Sequence, residues 1–270
     1  HPGTLPTINK EAINYAICLG LACKSNICKK NYFARKNYFY PDLPKGFQIT
    51  QDQTPICQGG EISFSINNGK KTIKLNRIHI EEDTAKLIHD LYPHYTCIDF
   101  NRAGIGLLEL VTAPEIKSPE EAYAFLYELR RLVRYLDICD GDMEKGSLRC
   151  DANISVMPEG SSVFGQRVEI KNINSIKNVQ LALEYEIKRQ IDLICNGGKV
   201  EQETRTFDAN TGTTIALRSK ENAFDYRYFV EPDLPPFYVS DEWIEKIKKS
   251  MPLLPDEYRV KLLNDLHVNE

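Results

Sequence analysis

Between Ser147 and Val156 the chain alternates at a period of two. Leu148, Cys150, Ala152, Ile154 and Val156 fall on one side, and Ser147, Arg149, Asp151, Asn153 and Ser155 on the other. Such a pattern fits a half-buried strand, one face against a core and one against solvent or ligand. The polar side sets a guanidinium, a carboxylate and a carboxamide about 7 Å apart along the strand. These are short groups, suited to something that docks directly on the sheet, such as phosphates, a metal ion or a charged substrate.

Two further segments alternate in the same way. Arg167, Glu169 and Lys171 share a side of the run 167–173, and Glu201, Glu203 and Arg205 share a side of 200–207. Three strands with interleaved acids and bases suggest one polar active-site sheet face, although a solvated face laced with ion pairs has the same sequence signature. Strands are expected near 61–66, 71–81, 96–101 and 106–112, with Asn67-Asn68-Gly69 as a hairpin turn. Three helices stand out. One runs from Asn9 to about Lys24. A second starts at Ser118-Pro119-Glu120-Glu121 and carries Ala122, Phe125, Leu129, Leu132 and Leu136 as its apolar stripe. A third spans about 174–195 and ends at Gly197-Gly198. Frequent hairpin signals and the lack of a strand–Gly-rich–helix unit point to an α+β fold, a mainly antiparallel sheet with long covering helices. Pro232-Asp233-Leu234-Pro235-Pro236 reads as a domain edge. This gives a domain over 1–240 and, over 241–270, the beginning of a helical domain.

The chemistry is narrowed mostly by what is missing. There is no Walker A loop, no dinucleotide fingerprint, no Gly-x-Ser-x-Gly elbow and no His-Glu-x-x-His. The cysteines at 18, 23, 28, 57, 97, 139, 150 and 195 form no Cys-x-x-Cys pair, which fits reduced thiols and argues against a structural zinc. No apolar run is long enough to span a membrane, and no secretory leader is visible. A net charge of −4 argues against wholesale nucleic-acid wrapping but leaves room for basic patches at Lys24–Lys36 and Arg130–Arg134. What remains is carboxylates on strands. Glu81-Glu82-Asp83 close one strand, and Glu109 interrupts the apolar run Ile105 to Val111. A carboxylate in such a run calls for an ion pair, Arg102 being one candidate, or for a metal. Hard oxygen ligands suit Mg²⁺ with substrate phosphates completing its shell.

Several longer segments carry a family resemblance. They are Arg35 through Gly46, Asp99-Phe100-Asn101-Arg102-Ala103-Gly104, Glu144 through Ser155, Val168-Glu169-Ile170-Lys171-Asn172 and Asp225-Tyr226-Arg227-Tyr228-Phe229. With these the chain resembles the B-subunit family of the tRNA-dependent aspartyl/glutamyl amidotransferases, the GatCAB complex. The resemblance implies a glutamine-synthetase-like catalytic cradle followed by the first helices of a helical domain. It implies an ATP- and Mg²⁺-dependent carbon–nitrogen ligase that phosphorylates the side-chain carboxylate of Glu-tRNA(Gln) or Asp-tRNA(Asn). Ammonia then converts the acyl phosphate to the amide. The implied partners are the A subunit, a glutaminase that supplies ammonia through a channel, the C subunit, and the aminoacyl-tRNA. The implied location is the bacterial cytoplasm, with mitochondrion or plastid as the alternative.

By the same resemblance Glu82 and Glu109 are expected to ligate the metal. The strand faces add Asp151, Glu169, Lys171 and Arg149 as catalytic groups. Arg149, Asn153, Lys171, Glu203 and Arg205 are the expected nucleotide contacts. Family members carry a Gly-Leu-Glu-Val-His strand ahead of the segment where this chain starts, and a tail domain beyond it, so the chain reads as a fragment. Where the family has Glu-Pro-Asp, this chain has Ala113-Pro114-Glu115. Two other readings stay open: a catalytically silent tRNA-docking module, and a free-standing ligase acting on a small carboxylate.

Overall fold

Asn9 starts the first helix by accepting a hydrogen bond from the Glu11 N–H, which satisfies one of the donors a helix start leaves open. The computed structural model describes residues 3–67, 69–217 and 225–266. In chain order its elements begin with α1 (Lys10–Ala22), β1 (Asn26–Ile27), β2 (Lys30–Asn31), β3 (Ala34–Asn37), β4 (Phe47–Thr50) and β5 (Cys57–Gln58). Next come β6 (Glu61–Ile66), β7 (Gly69–Glu82), β8 (Lys86–Tyr92), β9 (Tyr95–Asp99), β10 (Gly106–Thr112), α2 (Pro119–Tyr135) and β11 (Cys150–Ile154). The remainder are β12 (Val168–Ile173), α3 (Ile176–Cys195), β13 (Glu203–Asp208), β14 (Thr213–Ala216), β15 (Phe229–Val230), β16 (Phe237–Tyr238), α4 (Asp241–Ser250) and α5 (Pro255–Leu266).

These elements form two compact units. The first takes residues 1–62, 73–115 and 224–270, and the second takes 63–72 and 116–223. The two units divide the expected 1–240 domain internally, and the first of them also takes in residues 241–270. The proline-rich segment is packed rather than a linker, with Glu231, Leu234 and Val239 buried. The Trp243 indole on α4 donates to Asn14 on α1, and Lys29 pairs with Asp241.

In the first unit, β1, β5, β7 and β10 pair antiparallel beneath α1, whose Ile13, Ala16, Ile17 and Leu19 are buried. A smaller sheet, β15-β3-β4, is antiparallel throughout. The expected hairpin turn has Asn67 at a φ of 48°, a conformation asparagine tolerates; Asn68 lies outside the described residues.

In the second unit, Ser118 and Ser175 cap α2 and α3 through bonds from Glu121 N–H and Asn178 N–H. Glu121 reaches back to the Lys117 N–H and also pairs with Lys71, a variant of the capping box. Every member of the expected α2 stripe is buried, and Phe125 meets Phe64 edge-on. The sheet order is β11-β12-β13-β14. One pairing departs from the expected antiparallel pattern: β12 and β13 run parallel. The reason is the long helix between them, since parallel neighbours need a crossover and α3 provides it.

Candidate functional site

Successive residues of a strand point to opposite faces, and this separates Glu81 from Glu82. In the β7–β10 ladder Glu109 lies opposite His79, and Leu107 opposite Glu81. His79, Glu81 and Glu109 therefore share a face, and their nearest ligand atoms lie within 4.8 Å of one another. His79 Nε2 is 3.7 Å from a Glu81 oxygen and 3.9 Å from a Glu109 oxygen. His79 and Glu81 are buried, whereas the Glu109 side chain is 47% exposed, so it opens the cluster to solvent instead of being trapped in an apolar strand.

Glu82 points elsewhere. It takes the Lys45 ammonium, and one of its oxygens accepts from the Ile49 N–H at 2.8 Å. In this structure Glu109 groups with Glu81 and His79, and Glu82 lies outside that group. Arg102 also differs from expectation, because it holds Asp83 at 3.1 Å. Asp83 and Glu81 are buried, not an exposed acidic strand end.

The carboxylate pair fits a hard divalent cation that keeps several waters. Arg77 Nε–H approaches His79 Nδ1 at 3.4 Å. With Nδ1 accepting, a neutral ring carries its proton on Nε2, facing the carboxylates. A cation there could be held by the Glu81 and Glu109 oxygens, with His79 orienting them or, with Arg77 displaced, adding a nitrogen.

A polar wall flanks this cluster. The Thr50 hydroxyl donates to Glu81 at 3.3 Å. Tyr38 and Tyr226 meet edge-on, as do Tyr226 and Tyr228. Burial, reinforced by Asp52, Tyr226, Glu81 and Glu109, pushes the Tyr228 phenol up to about 12. Burial and the acids Asp42 and Glu81 raise Tyr38 as well. Both phenols therefore stay protonated at neutral pH. Lys36 sits against this wall, 4.7 Å from the Tyr226 ring centre and 5.9 Å from that of Tyr38. Tyr38, Tyr226 and Tyr228 fall within two of the segments that carry the family resemblance, but periodicity and spacing did not set them apart from core aromatics. Only the period-two alternation through Lys36 and Tyr38 hinted that they share a face. A separate cleft of about 490 Å³ is lined by Asn37, Phe39, Lys45, Gly46, Phe47, Arg227 and Phe229.

In the second unit, Asn153 lies opposite Glu169 in the β11–β12 ladder. Lys171 Nζ binds Asp151 at 2.9 Å and Glu169 at 3.3 Å. Burial opposes the Lys171 charge, but these two acids outweigh it and raise its pKa. Asp151, Asn153, Glu169 and Lys171 thus share one polar face, as expected. Arg149 is exposed and lies just ahead of β11.

Glu203 and Arg205 lie on the opposite face. Parallel pairing matches Val168 with Glu203 and Ile170 with Arg205, both partners being buried apolar residues. Arg205 is tied to Glu203 and Thr214, and lies 3.5 Å from the fully buried Glu186 of α3. The expectation of one continuous acid–base face across the three strands is corrected accordingly, and Glu201 lies outside the strand.

Residues 1–245 match the family described as the GatB/GatE catalytic domain. The chain belongs to that family. It is 57% identical over 256 residues to the aspartyl/glutamyl-tRNA(Asn/Gln) amidotransferase B subunit of Thermodesulfovibrio yellowstonii, covering 95% of this chain and 54% of the relative. The proteins of that name from Rickettsia canadensis and Geobacter sp. strain M21 are 54% and 52% identical, each match covering 100% of this chain and 56% and 57% of the relative. The chain spans about half the length of the curated relatives it matches.

Proposed function

We propose that this chain is the catalytic part of the B subunit of an amidotransferase, with a glutamine-synthetase-like cradle. It works with A and C subunits on Glu-tRNA(Gln) or Asp-tRNA(Asn) in the bacterial cytoplasm. A carboxylate resists ammonia because it is anionic and lacks a leaving group. Transfer of the terminal phosphoryl group of ATP to a side-chain oxygen gives an acyl phosphate and ADP. Ammonia then attacks the carbonyl carbon, inorganic phosphate leaves with the C–O electron pair, and the nitrogen loses a proton to give the amide.

The observation that carries this reading is the half-open His79–Glu81–Glu109 cluster in a family whose relatives are named as amidotransferases. Glu81 and Glu109, oriented by His79, would hold Mg²⁺, which when bound supplies charge neutralisation on phosphoryl oxygens. The second-unit face is a proposed nucleotide–metal surface. Asp151, Glu169 and Lys171 together carry a net single negative charge, which favours a cation over a bare phosphate there. Lys171 therefore serves as a spacer between the two acids more than as a phosphate clamp. Arg149 and Asn153 remain the proposed nucleotide contacts. Glu203 and Arg205 are left out of the proposed site because of the face they occupy.

The test uses the full-length protein assembled with its A and C subunits. Ammonium- and ATP-dependent conversion of Glu-tRNA(Gln) to Gln-tRNA(Gln) bypasses the glutaminase. The expected result is an active wild type, with Glu109→Gln and Asp151→Asn assembled but reduced by at least about a hundredfold. Full activity in both variants would overturn the site assignment. A wild type that binds tRNA but never consumes ATP would favour the docking-module reading.

A further inference from the structure

The basic groups around the first unit's acid cluster differ in how their charge is met. Lys45 is neutralised by Glu82, Arg35 by Glu231 and Asp233, and Arg102 by Asp83. Lys36 is different. Among the described residues no acceptor pairs with its ammonium, and what it faces is the Tyr226 and Tyr38 rings. Electron-rich ring faces attract a cation without supplying a compensating charge. They hold the ammonium in place and leave its hydrogen-bond donors available.

Register fixes where that charge sits. Ala34 pairs with Thr50 and Lys36 with Gln48 across β3–β4, so Lys36 shares a sheet face with Thr50, whose hydroxyl contacts Glu81. The cage is tied to β3 by hydrogen bonds. The Tyr226 carbonyl accepts from the Asn37 backbone N–H at 3.0 Å and from its side-chain amide at 3.1 Å. The same amide also donates to the Arg227 carbonyl at 2.8 Å. Arg227 has a φ of 44°, a left-handed conformation that a bulky residue adopts only when its surroundings impose it. Asn37 is thus a clamp that holds Tyr226 and Tyr228 on the Lys36 side of the sheet.

We propose that Lys36 is the cation that binds the transferred phosphoryl group at the acid-cluster site, and that Tyr226, clamped by Asn37, is the positioning residue that aims it. This rests on the reading of that cluster as the phosphoryl-transfer centre. The division of labour is simple: two carboxylates would hold a divalent cation that neutralises phosphoryl charge, and the uncompensated Lys36 ammonium adds hydrogen bonds to the phosphoryl oxygens. A lysine already paired with a carboxylate would have to give up that partner first.

The experiment measures binding of Mg²⁺·AMP-PNP and of Mg²⁺·ADP to the full-length protein in its assembled complex, by calorimetry. Lys36→Met is expected to weaken AMP-PNP by about ten- to a hundredfold, the loss of a hydrogen bond between charged groups, and to leave ADP unchanged. Tyr226→Phe keeps the ring and should match wild type. Tyr226→Leu should reproduce the Lys36→Met loss, and the double variant should be no worse than Lys36→Met alone. Equal effects of Lys36→Met on both nucleotides, or none on either, would overturn the proposal, as would additive effects of Lys36→Met and Tyr226→Leu. Glu109→Gln separates the two levels. If it abolishes nucleotide binding while Lys36→Met leaves AMP-PNP affinity at the wild-type value, only the Lys36 assignment falls. If it too leaves AMP-PNP binding intact, or if wild type binds neither nucleotide, the acid-cluster reading falls with it.

Discussion

Two adjacent glutamates have different fates. Glu82 accepts from a backbone N–H and a lysine, while Glu81 accepts from a threonine hydroxyl and faces His79. The Glu82 side chain is 13% exposed, so its charge depends on Lys45. Lys45→Met should destabilise the protein by about 1–3 kcal/mol, because the carboxylate is left largely desolvated. Adding Glu82→Gln should restore part of that loss, since a neutral amide needs no counter-ion. Chemical denaturation of the two variants checks this, and a double variant less stable than Lys45→Met would contradict it. The sequence made the acidic strand end visible but not its orientation. Period-two alternation says that residues 81 and 82 face opposite ways, yet which of them meets Glu109 depends on a ladder register set far away in the chain. The tyrosines around Lys36 were hidden for a related reason, because Tyr38 and Tyr226 are brought together only by the fold.

Helices were the most legible elements, because their signals are local. The serine caps, the apolar stripe of α2 and the glycine that ends α3 each use residues within a few positions of one another. Ser118→Ala and Ser175→Ala should each cost about 1 kcal/mol, read as a lowered denaturation midpoint with an unchanged slope. Strand faces were legible only halfway. Glu203 and Arg205 do share a face, but the α3 crossover and parallel pairing turn it toward the helix, where Glu186 is fully buried. Burial alone would raise the Glu186 pKa, but Arg189, Gln190 and Thr214 outweigh it and hold the carboxyl below its ordinary range. The linkage sign follows from that depression. The stabilisation is fully present above the unfolded-state pKa, about 4.3 for glutamate, and is lost as pH falls through the lower folded value. Glu186→Gln should therefore be less stable at neutral pH, with the difference from wild type shrinking as pH drops below about 4. A pH series of urea midpoints tests this, and a difference that grows on acidification would refute it.

At the scale of the whole molecule, the first unit is assembled from separated stretches of chain, and this is what the proline-rich segment concealed. Prolines usually punctuate linkers. Here they end strands that close the unit, with β15 pairing to β3 and β16 to β2. The bond that ties the ends together is ionic. Arg35 Nε–H and an Nη–H donate to the two Glu231 oxygens at 2.7 and 2.8 Å, across 196 positions of sequence. The Arg35 guanidinium lies 4.1 Å from the Phe47 ring centre. Nothing local in the sequence connects these groups, so only the fold or a family likeness could link them. Burial works to raise the Glu231 pKa, but the Arg35 bonds and the Asp233 N–H hold it below the usual range. Breaking a buried pair from one side leaves the other charge uncompensated, at a cost of about 3–5 kcal/mol. Arg35 keeps Asp233 at 3.1 Å, so Glu231→Ala should fall toward the lower end of that range. The chain divides into two compact units, and the loss is expected to be confined to the first. Hydrogen exchange should accelerate at amides of β3, β4 and β15 in Glu231→Ala, while amides of α3 and β12 keep wild-type protection. Equal acceleration in both sets would mean that the molecule unfolds as a single cooperative body, and that the division into two units has no energetic counterpart.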